Sequence, residues 1–356
     1  MIETDVVIIG SGPVGLFAIF QCGMLGLKCE TVDTLDHTGG QCIALYPEKP
    51  IYDIPACPGI LAADLIAKLE EQIKPFHPRF HLNQKVVHVE KLENEEKWKV
   101  ITSKGVCFKT KTILIAAGVG AFGPNRPPLD NLESFEGKSV FYYVKNREKF
   151  RDKTLVIAGG GDSAVDWALS LHDVARKIYI VHRRSKFRAH EASIQQLEGL
   201  CETSLTIEKI IPYQLSGLSG SDGQLSEVII KSMSGETRCL KTDVLLAFFG
   251  LSMNLGPILE WGLGTEKNHI EINAFTAQTN QEGIYAIGDV ATYPHKLKLI
   301  MTGFSEAAHA AHAIRQYIYP HKVFHFEHST TKGVPENTPS HDAISINDDS
   351  KKRLSS

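Results

Sequence analysis

The chain has 356 residues, 43% hydrophobic and 22% charged, a balance that suits two or three globular domains and not a disordered or fibrous protein. A formal net charge of -3 argues against nucleic-acid binding as the main activity, and no apolar run approaches the length needed to span a bilayer. The seven cysteines are odd in number and form no C-x-x-C, which argues against a secreted disulfide scaffold. Glu3 and Asp5 stand where a signal peptide would be basic, so the reading is cytoplasmic.

Asp5–Ile9 is a strand-forming run that leads into Gly10-Ser11-Gly12-Pro13-Val14-Gly15, three glycines at G-x-G-x-x-G spacing. Such a loop binds a dinucleotide: Gly10 permits the tight bend, Gly12 and Pro13 let backbone approach a pyrophosphate, and Gly15 lets the next helix pack on its strand. That helix, read over Leu16–Leu27, aims its free N–H groups and positive dipole end at the phosphates. The second strand, Cys29–Val32, ends at Asp33, 23 positions after Gly10. An isolated turn aspartate is ordinarily a solvated acid. In the order strand, glycines, helix, strand, acid, it binds the ribose hydroxyls of an adenosine.

Thr38–Lys49 is a loop in which Gly39 and Gly40 permit close backbone approach, while Gln41 and Tyr46 offer an amide and an aromatic plane. Leu61–Ile73 reads as an amphipathic helix after the Pro58-Gly59 breaker, and Val86–Glu90 and Trp98–Thr102 as strands joined by a charged turn. Thr112–Gly118 resembles a buried strand closing one domain, and Gly118–Pro128, dense in Gly and Pro, reads as a linker.

The opening pattern then returns. Adding 149 maps Gly10 onto Gly159, Gly12 onto Gly161, Gly15 onto Ala164 and Asp33 onto His182. The run Leu155–Ala158, Gly159-Gly160-Gly161-Asp162-Ser163-Ala164, helix Val165–Leu171 and strand Ile178–Val181 is a second dinucleotide unit, and a repeated unit is far stronger evidence than either triplet alone. Where the first copy ends in an acid, the second has His182-Arg183-Arg184, with Lys186 and Arg188 beyond. Guanidinium forks suit a phosphate monoester, so this copy prefers NADP, which carries the 2′-phosphate, over NAD.

Val244–Phe248 reads as the return from an inserted domain. Gly283–Val290 is a buried strand ending at Gly288-Asp289, which either bonds a ribityl hydroxyl through the aspartate or is only a strand-ending turn. Leu299–Tyr317 is a long helix whose N-terminus brings positive potential to a flavin pyrimidine edge. The tail from Gly333 is polar and reads as loosely ordered.

Two glycine loops, the Tyr285–Asp289 strand and a G-G-G-D-S-A turn followed by H-R-R resemble the thioredoxin-reductase-like flavoproteins. Gly39–Lys49 and His328-Ser329-Thr330 look like the ferredoxin/flavodoxin–NADP reductases built on that plan. The resemblance implies an α/β fold of two Rossmann-like domains, the NADP domain (119–248) inserted into an FAD domain (1–118 and 249–332), with a C-terminal tail over 333–356. It implies FAD and NADPH as cofactors, hydride transfer to flavin N5, single electrons onward to ferredoxin or flavodoxin, and a homodimer. By motif position it places Asp33 on the ribose, Gln41 along the FAD and Tyr46 on one face of the isoalloxazine. Val86 would contact the adenine through its backbone, Phe122 would border the flavin, Asp289 and Thr330 would hold the ribityl and ring edges, and His328 would stack on the opposite face.

Relatives that reduce disulfides use C-x-x-C before the second glycine loop, or C-x4-C after the first. Here Gly137–Thr154 has no cysteine, and the position that Cys42 would need is Pro47. That leaves direct transfer from flavin to acceptor. A reductase of a small disulfide or quinone, and an FAD-bound redox sensor or assembly partner, are the competing readings. An acidic acceptor calls for a basic face, for which Lys145, Arg147, Lys149 and Arg151, or Lys296 with Lys298, are candidates. Of His309, His312, His321, His325 and His328, weighed as metal ligands, all but His328 read as packed or surface histidines, and no metal set is expected.

Overall fold

The computed structural model describes residues 1–92, 95, 97–322 and 333–334. The chain forms two compact units: the first comprises Met1–Thr38, Ile66–Gly118 and the chain from Pro257, the second Gly39–Leu65 with Val119–Gly256.

The first unit is built on parallel strands in the order Arg79–His81, Cys29–Val32, Ile2–Ile9, Cys107–Ile115 and Ile284–Ala286. Val6, Val7 and Ile8 are fully buried, as a central parallel strand covered on both faces requires. The helix Pro13–Met24 follows at once. Strands Val86–Lys91 and Trp98–Thr102 form an antiparallel extension on the first half of Cys107–Ile115. Strand order reverses between Ile2–Ile9 and its neighbour Cys107–Ile115, the kind of switch point where ligands sit outside the carboxyl ends of the strands. Gly10 lies at that point.

The second unit repeats the plan. Its parallel sheet runs Val140–Phe141, Val244–Ala247, Thr154–Ala158, Lys177–Val181, Ile207–Ile210. Alternation divides its side chains between two cores. Leu155, Ile157, Ile178, Ile180 and Leu246 meet Ala164, Ala168, Leu171 and Leu197 from helices Asp162–Leu171 and Glu191–Thr203. Val156, Ala158, Val181 and Leu245 meet Leu225, Val228, Ile230 and Leu240 from the antiparallel strands Gln224–Ser232 and Thr237–Lys241. One sheet face is therefore covered by helices and the other by a β-meander that also includes Tyr213–Ser221.

The segment read as a linker carries structure. Ala121–Pro124 pairs antiparallel with Leu251–Asn254, with Phe122 opposite Met253, and the Asn125 N–H donates to the Gly250 carbonyl at 3.0 Å. Pairing the outgoing and returning segments satisfies backbone groups that a bare linker would leave to water, and Pro124 is tolerated because a two-stranded ribbon has only edges. His328, Thr330 and nearly all of the 333–356 tail lie outside the described residues. Among the described residues, no helix is long and apolar enough to cross a membrane.

Candidate functional site

In the first unit the glycine loop is shaped by contact with the neighbouring strand. Gly10 has φ +108°, and a Cβ there would strike the Ala116 carbonyl oxygen; a Cβ on Gly15 would strike the Gly10 carbonyl. Gly12 caps helix Pro13–Met24 without a side-chain hydrogen bond, and no acidic residue occupies the first turn. The first N–H groups and the dipole's positive end are thus left for an external anion. Asp33, 8% exposed, holds the loop's shape: one carboxylate oxygen accepts the Ser11 N–H at 2.6 Å and the Ser11 hydroxyl at 2.7 Å, and the other accepts the Leu35 N–H at 2.9 Å. The acid at the end of the second strand is therefore tied to the middle of the glycine loop, a link made through Ser11 that sequence reading passed over. Gln84 donates its N–H to the Asp33 carbonyl at 3.0 Å, which brings buried Val86, two residues on, to the same end of the sheet.

A second helix N-terminus arrives at this loop. Cβ atoms built on Gly288 and on Gly303 would both meet the side chain of Val14, so the Gly288-Asp289 turn, the helix Ile300–Ile318 and the helix opening at Gly12 converge on one valine. The helix Ile300–Ile318 also lacks a side-chain cap and an acid in its first turn. Two uncapped helix starts with a half-buried aspartate between them fit a dinucleotide with polar ribityl hydroxyls.

In the second unit, Gly161 caps helix Asp162–Leu171 without a side-chain bond, and open space surrounds the position of its missing Cβ. Gly160 lies against the ring of His182, which stacks on Phe187 at 5.5 Å between centroids. His182 Nε2 is buried with no hydrogen-bond partner, and burial, helped by Arg183 and Arg188, pushes the imidazole below its ordinary pKa. Beyond it, Arg183, Arg184, Lys186 and Arg188 are exposed, and none is paired with a carboxylate among the described residues. This basic segment is pinned to the glycine loop by Arg188 N–H to Gly160 carbonyl at 2.6 Å and His190 N–H to Asp162 Oδ1 at 2.8 Å. Ser163 is exposed at the helix start and Ala164 is fully buried beneath the turn. Asp162, read from sequence as a nucleotide contact, is thus placed to hold the arginine segment. Asp162→Ala should raise the KM for NADPH several-fold with the NADH value little changed, measured by initial rates.

The match to known proteins agrees with this layout. The family model described as pyridine nucleotide-disulphide oxidoreductase matches residues 4–316. A ferredoxin–NADP reductase of Rhodospirillum rubrum is 56% identical over 336 residues, covering 94% of this chain and 97% of that protein. One from Rickettsia canadensis is 54% identical over 332 residues, 93% of this chain and 98% of that protein. The chain belongs to the pyridine nucleotide-disulphide oxidoreductases, in their ferredoxin–NADP reductase group. Among solved structures, a thioredoxin reductase of Lactococcus lactis matches with TM-score 0.76 at 26% identity, covering 89% of this chain and 99% of that one. A T. acidophilum thioredoxin reductase has the same TM-score at 19% identity and speaks for the fold alone. The two Rossmann-like domains expected from the sequence are this fold.

For a pyridine nucleotide-disulphide oxidoreductase, the thiols are notable: none of the seven cysteines is in a disulfide. Cys42 is buried at 1% exposure with its sulfur 3.8 Å from the Tyr46 hydroxyl. Gln41 opens the short helix Gln41–Ala44, and Tyr46 packs, half-buried, against the helix-side core of the second unit. The same loop is held there by Lys49 to Asp166 at 2.7 Å and by the Arg147 N–H to Glu48 at 2.8 Å. Among the described residues, no group of three His, Cys, Asp or Glu is placed to hold a metal.

The basic faces expected for docking are altered. Lys296 is not on the surface: its side chain is 5% exposed and paired with Glu306. Lys145 and Lys149 lie over the rings of Tyr143 and Phe141, while Arg147 pairs with Asp173 and Arg151 with Glu148. Charge spacing along a sequence counts the cations but not the acids that folding brings to them.

Proposed function

We propose that the chain moves electrons from NADPH, through FAD held by the first unit, to ferredoxin or flavodoxin. The observation that carries this is the asymmetry of the two copies: one glycine loop closed by Asp33, the other by Arg183, Arg184 and Arg188, none paired with a carboxylate among the described residues, with no C-x-x-C to take electrons as a dithiol. The relatives named above supply the acceptor class. In this reading 1–118 with 249–332 bind FAD, 119–248 binds NADPH, and the tail lies over 333–356; the protein works in the cytoplasm as a homodimer.

FAD, when bound, would accept one hydride from NADPH and pass its two electrons on one at a time. The chain does the rest. Gly10, Gly12, Pro13 and Gly15 let backbone N–H groups reach the pyrophosphate, Asp33 faces the adenosine ribose, and Val86 offers backbone to the adenine. Asp289 would hold the ribityl edge, and for Gln41, Tyr46, Phe122, Thr330 and His328 the roles stay those that motif position implies. Gly159, Gly161, Asp162, Ser163, Ala164 and His182 form the NADP cradle, and the arginines read the 2′-phosphate.

Tyr46→Ser should slow the bleaching of bound flavin by NADPH in stopped flow, because the ring that orders the stack is gone; an unchanged rate removes Tyr46 from that role. The function itself is tested by NADPH-driven cytochrome c reduction with and without added ferredoxin or flavodoxin. The expected result is turnover that depends on the added carrier. Equal turnover without it, or faster reduction of a small disulfide, overturns the proposal.

A further inference from the structure

Lys296 and Glu306 form an ion pair at 2.8 Å in which both side chains are only 5% exposed. Two charges taken out of water cost more than their attraction returns unless other bonds satisfy them, and a pair of apolar residues would usually be as stable. Here two of the other bonds hold a single residue, Gly288. Glu306 accepts the Gly288 N–H at 2.7 Å, the Tyr293 hydroxyl at 2.9 Å and a further bond from Lys296 at 2.9 Å. Lys296 also donates to the Gly288 carbonyl at 2.6 Å. Gly288 is thus gripped at its N–H by the anion and at its carbonyl by the cation. It is the residue before Asp289, and it sits against Val14 at the start of the glycine-loop helix. Burial pushes the Lys296 ammonium toward losing its proton, while Glu306 and Asp289 push it back.

We propose that Lys296 and Glu306 are positioning residues that set the charge balance of the flavin site. They clamp the Gly288-Asp289 turn and, by staying mutually neutral, let negative charge accumulate on a reduced ring beside it. This rests on the proposed FAD site in the first unit. Removing the cation leaves a buried carboxylate that disfavours the reduced ring, whereas removing the anion leaves an ammonium that favours it. A merely structural clamp would disturb the turn in the same way from either side.

The experiment is the two-electron reduction potential of the bound flavin, by dye-equilibrated titration, in wild type, Lys296→Met, Glu306→Gln and the double variant. Each variant is compared with wild type at one and the same pH. The expected result is opposite shifts of roughly tenfold in the reduced-to-oxidised ratio, about 30 mV each: lower for Lys296→Met, higher for Glu306→Gln. The double variant should return toward wild type, and Lys296→Arg should keep the wild-type value. Same-sign shifts, or unchanged potentials with only a lower Tm, overturn the proposal while leaving the FAD reading intact. If Lys296→Met does not fold, a raised potential in Glu306→Gln together with a wild-type value in Lys296→Arg supports the proposal, and a lowered or unchanged potential in Glu306→Gln overturns it. A wild-type protein that binds no FAD overturns both.

Discussion

Arg183→Ala combined with Arg184→Ala raises the KM for NADPH by roughly 30- to 150-fold and leaves the KM for NADH within about twofold. A hydrogen bond to a charged group contributes about 1.5–3 kcal/mol, so two guanidiniums discounted for their exposure give about 2–3 kcal/mol, which is that range of affinity. Neither arginine is engaged by a carboxylate in the described structure, so truncation removes contacts to ligand and strands no protein anion. The effect should therefore fall on KM and leave Tm near wild type. NADH lacks the 2′-phosphate and senses only the ribose and glycine-loop contacts, which remain. Because the cluster is exposed, the NADPH preference of the wild type should also shrink as ionic strength rises. Initial rates with both nucleotides decide the matter: equal changes in the two KM values would place the 2′-phosphate elsewhere.

Both glycine loops were legible in the sequence because their chemistry is local. A bend, a close backbone approach and a helix start are written within six residues, and the copy at an offset of 149 removed the ambiguity of the first. The buried strand segments Val6–Ile9 and Leu155–Ala158 were legible for a related reason: strand residues covered on both faces read as unbroken apolar runs. The β-meander of Tyr213–Lys241 went unread because glycine and serine interrupt its alternation, with register shifts near Gly217 and Gly220. Helix Glu191–Thr203 buries Leu197 fully and little else, so its pattern is faint.

The site divides along the same line. Asp33 stands out in the sequence because the acid at the end of the second strand has a fixed sequence distance from the glycines. The Ser11 link to it was not, since a serine between two glycines carries no signal of what faces it. Lys296 looked like a surface cation because only its neighbour Lys298 was in view. Its partner Glu306 lies ten residues on, in a helix whose other small residues signal packing, and a lone acid among Ala307, Ala310 and Ala311 was the available clue. Tyr46 shows a limit of another kind. Its loop is anchored through Glu48 and Lys49 to residues near 147 and 166, and nothing in a linear reading connects those numbers.

Gly10→Ala should yield protein with less than about a tenth of the wild-type flavin content, while Gly26→Ala keeps its flavin. The pair separates two effects that glycine substitutions usually mix. Both positions have left-handed backbone, φ +108° and +69°, so both variants carry the strain of an L residue there, of order 1–3 kcal/mol. At Gly26 nothing lies within 4 Å of the added Cβ, and strain is the whole cost. At Gly10 the Cβ lands on the Ala116 carbonyl, whose own residue is fixed by its N–H to the Ile9 carbonyl at 2.8 Å. The loop cannot retreat toward the sheet, so it must move outward, into the space that the pyrophosphate needs. Overpacking adds about 1–3 kcal/mol, and the displaced loop also pulls on Ser11 and hence on Asp33. Flavin absorbance per protein, with an FAD titration of each apoprotein, reads the outcome. Wild-type FAD affinity in Gly10→Ala would mean that the first glycine loop holds something other than FAD. Equal loss in both variants would mean that backbone strain, and not the collision with Ala116, controls the site.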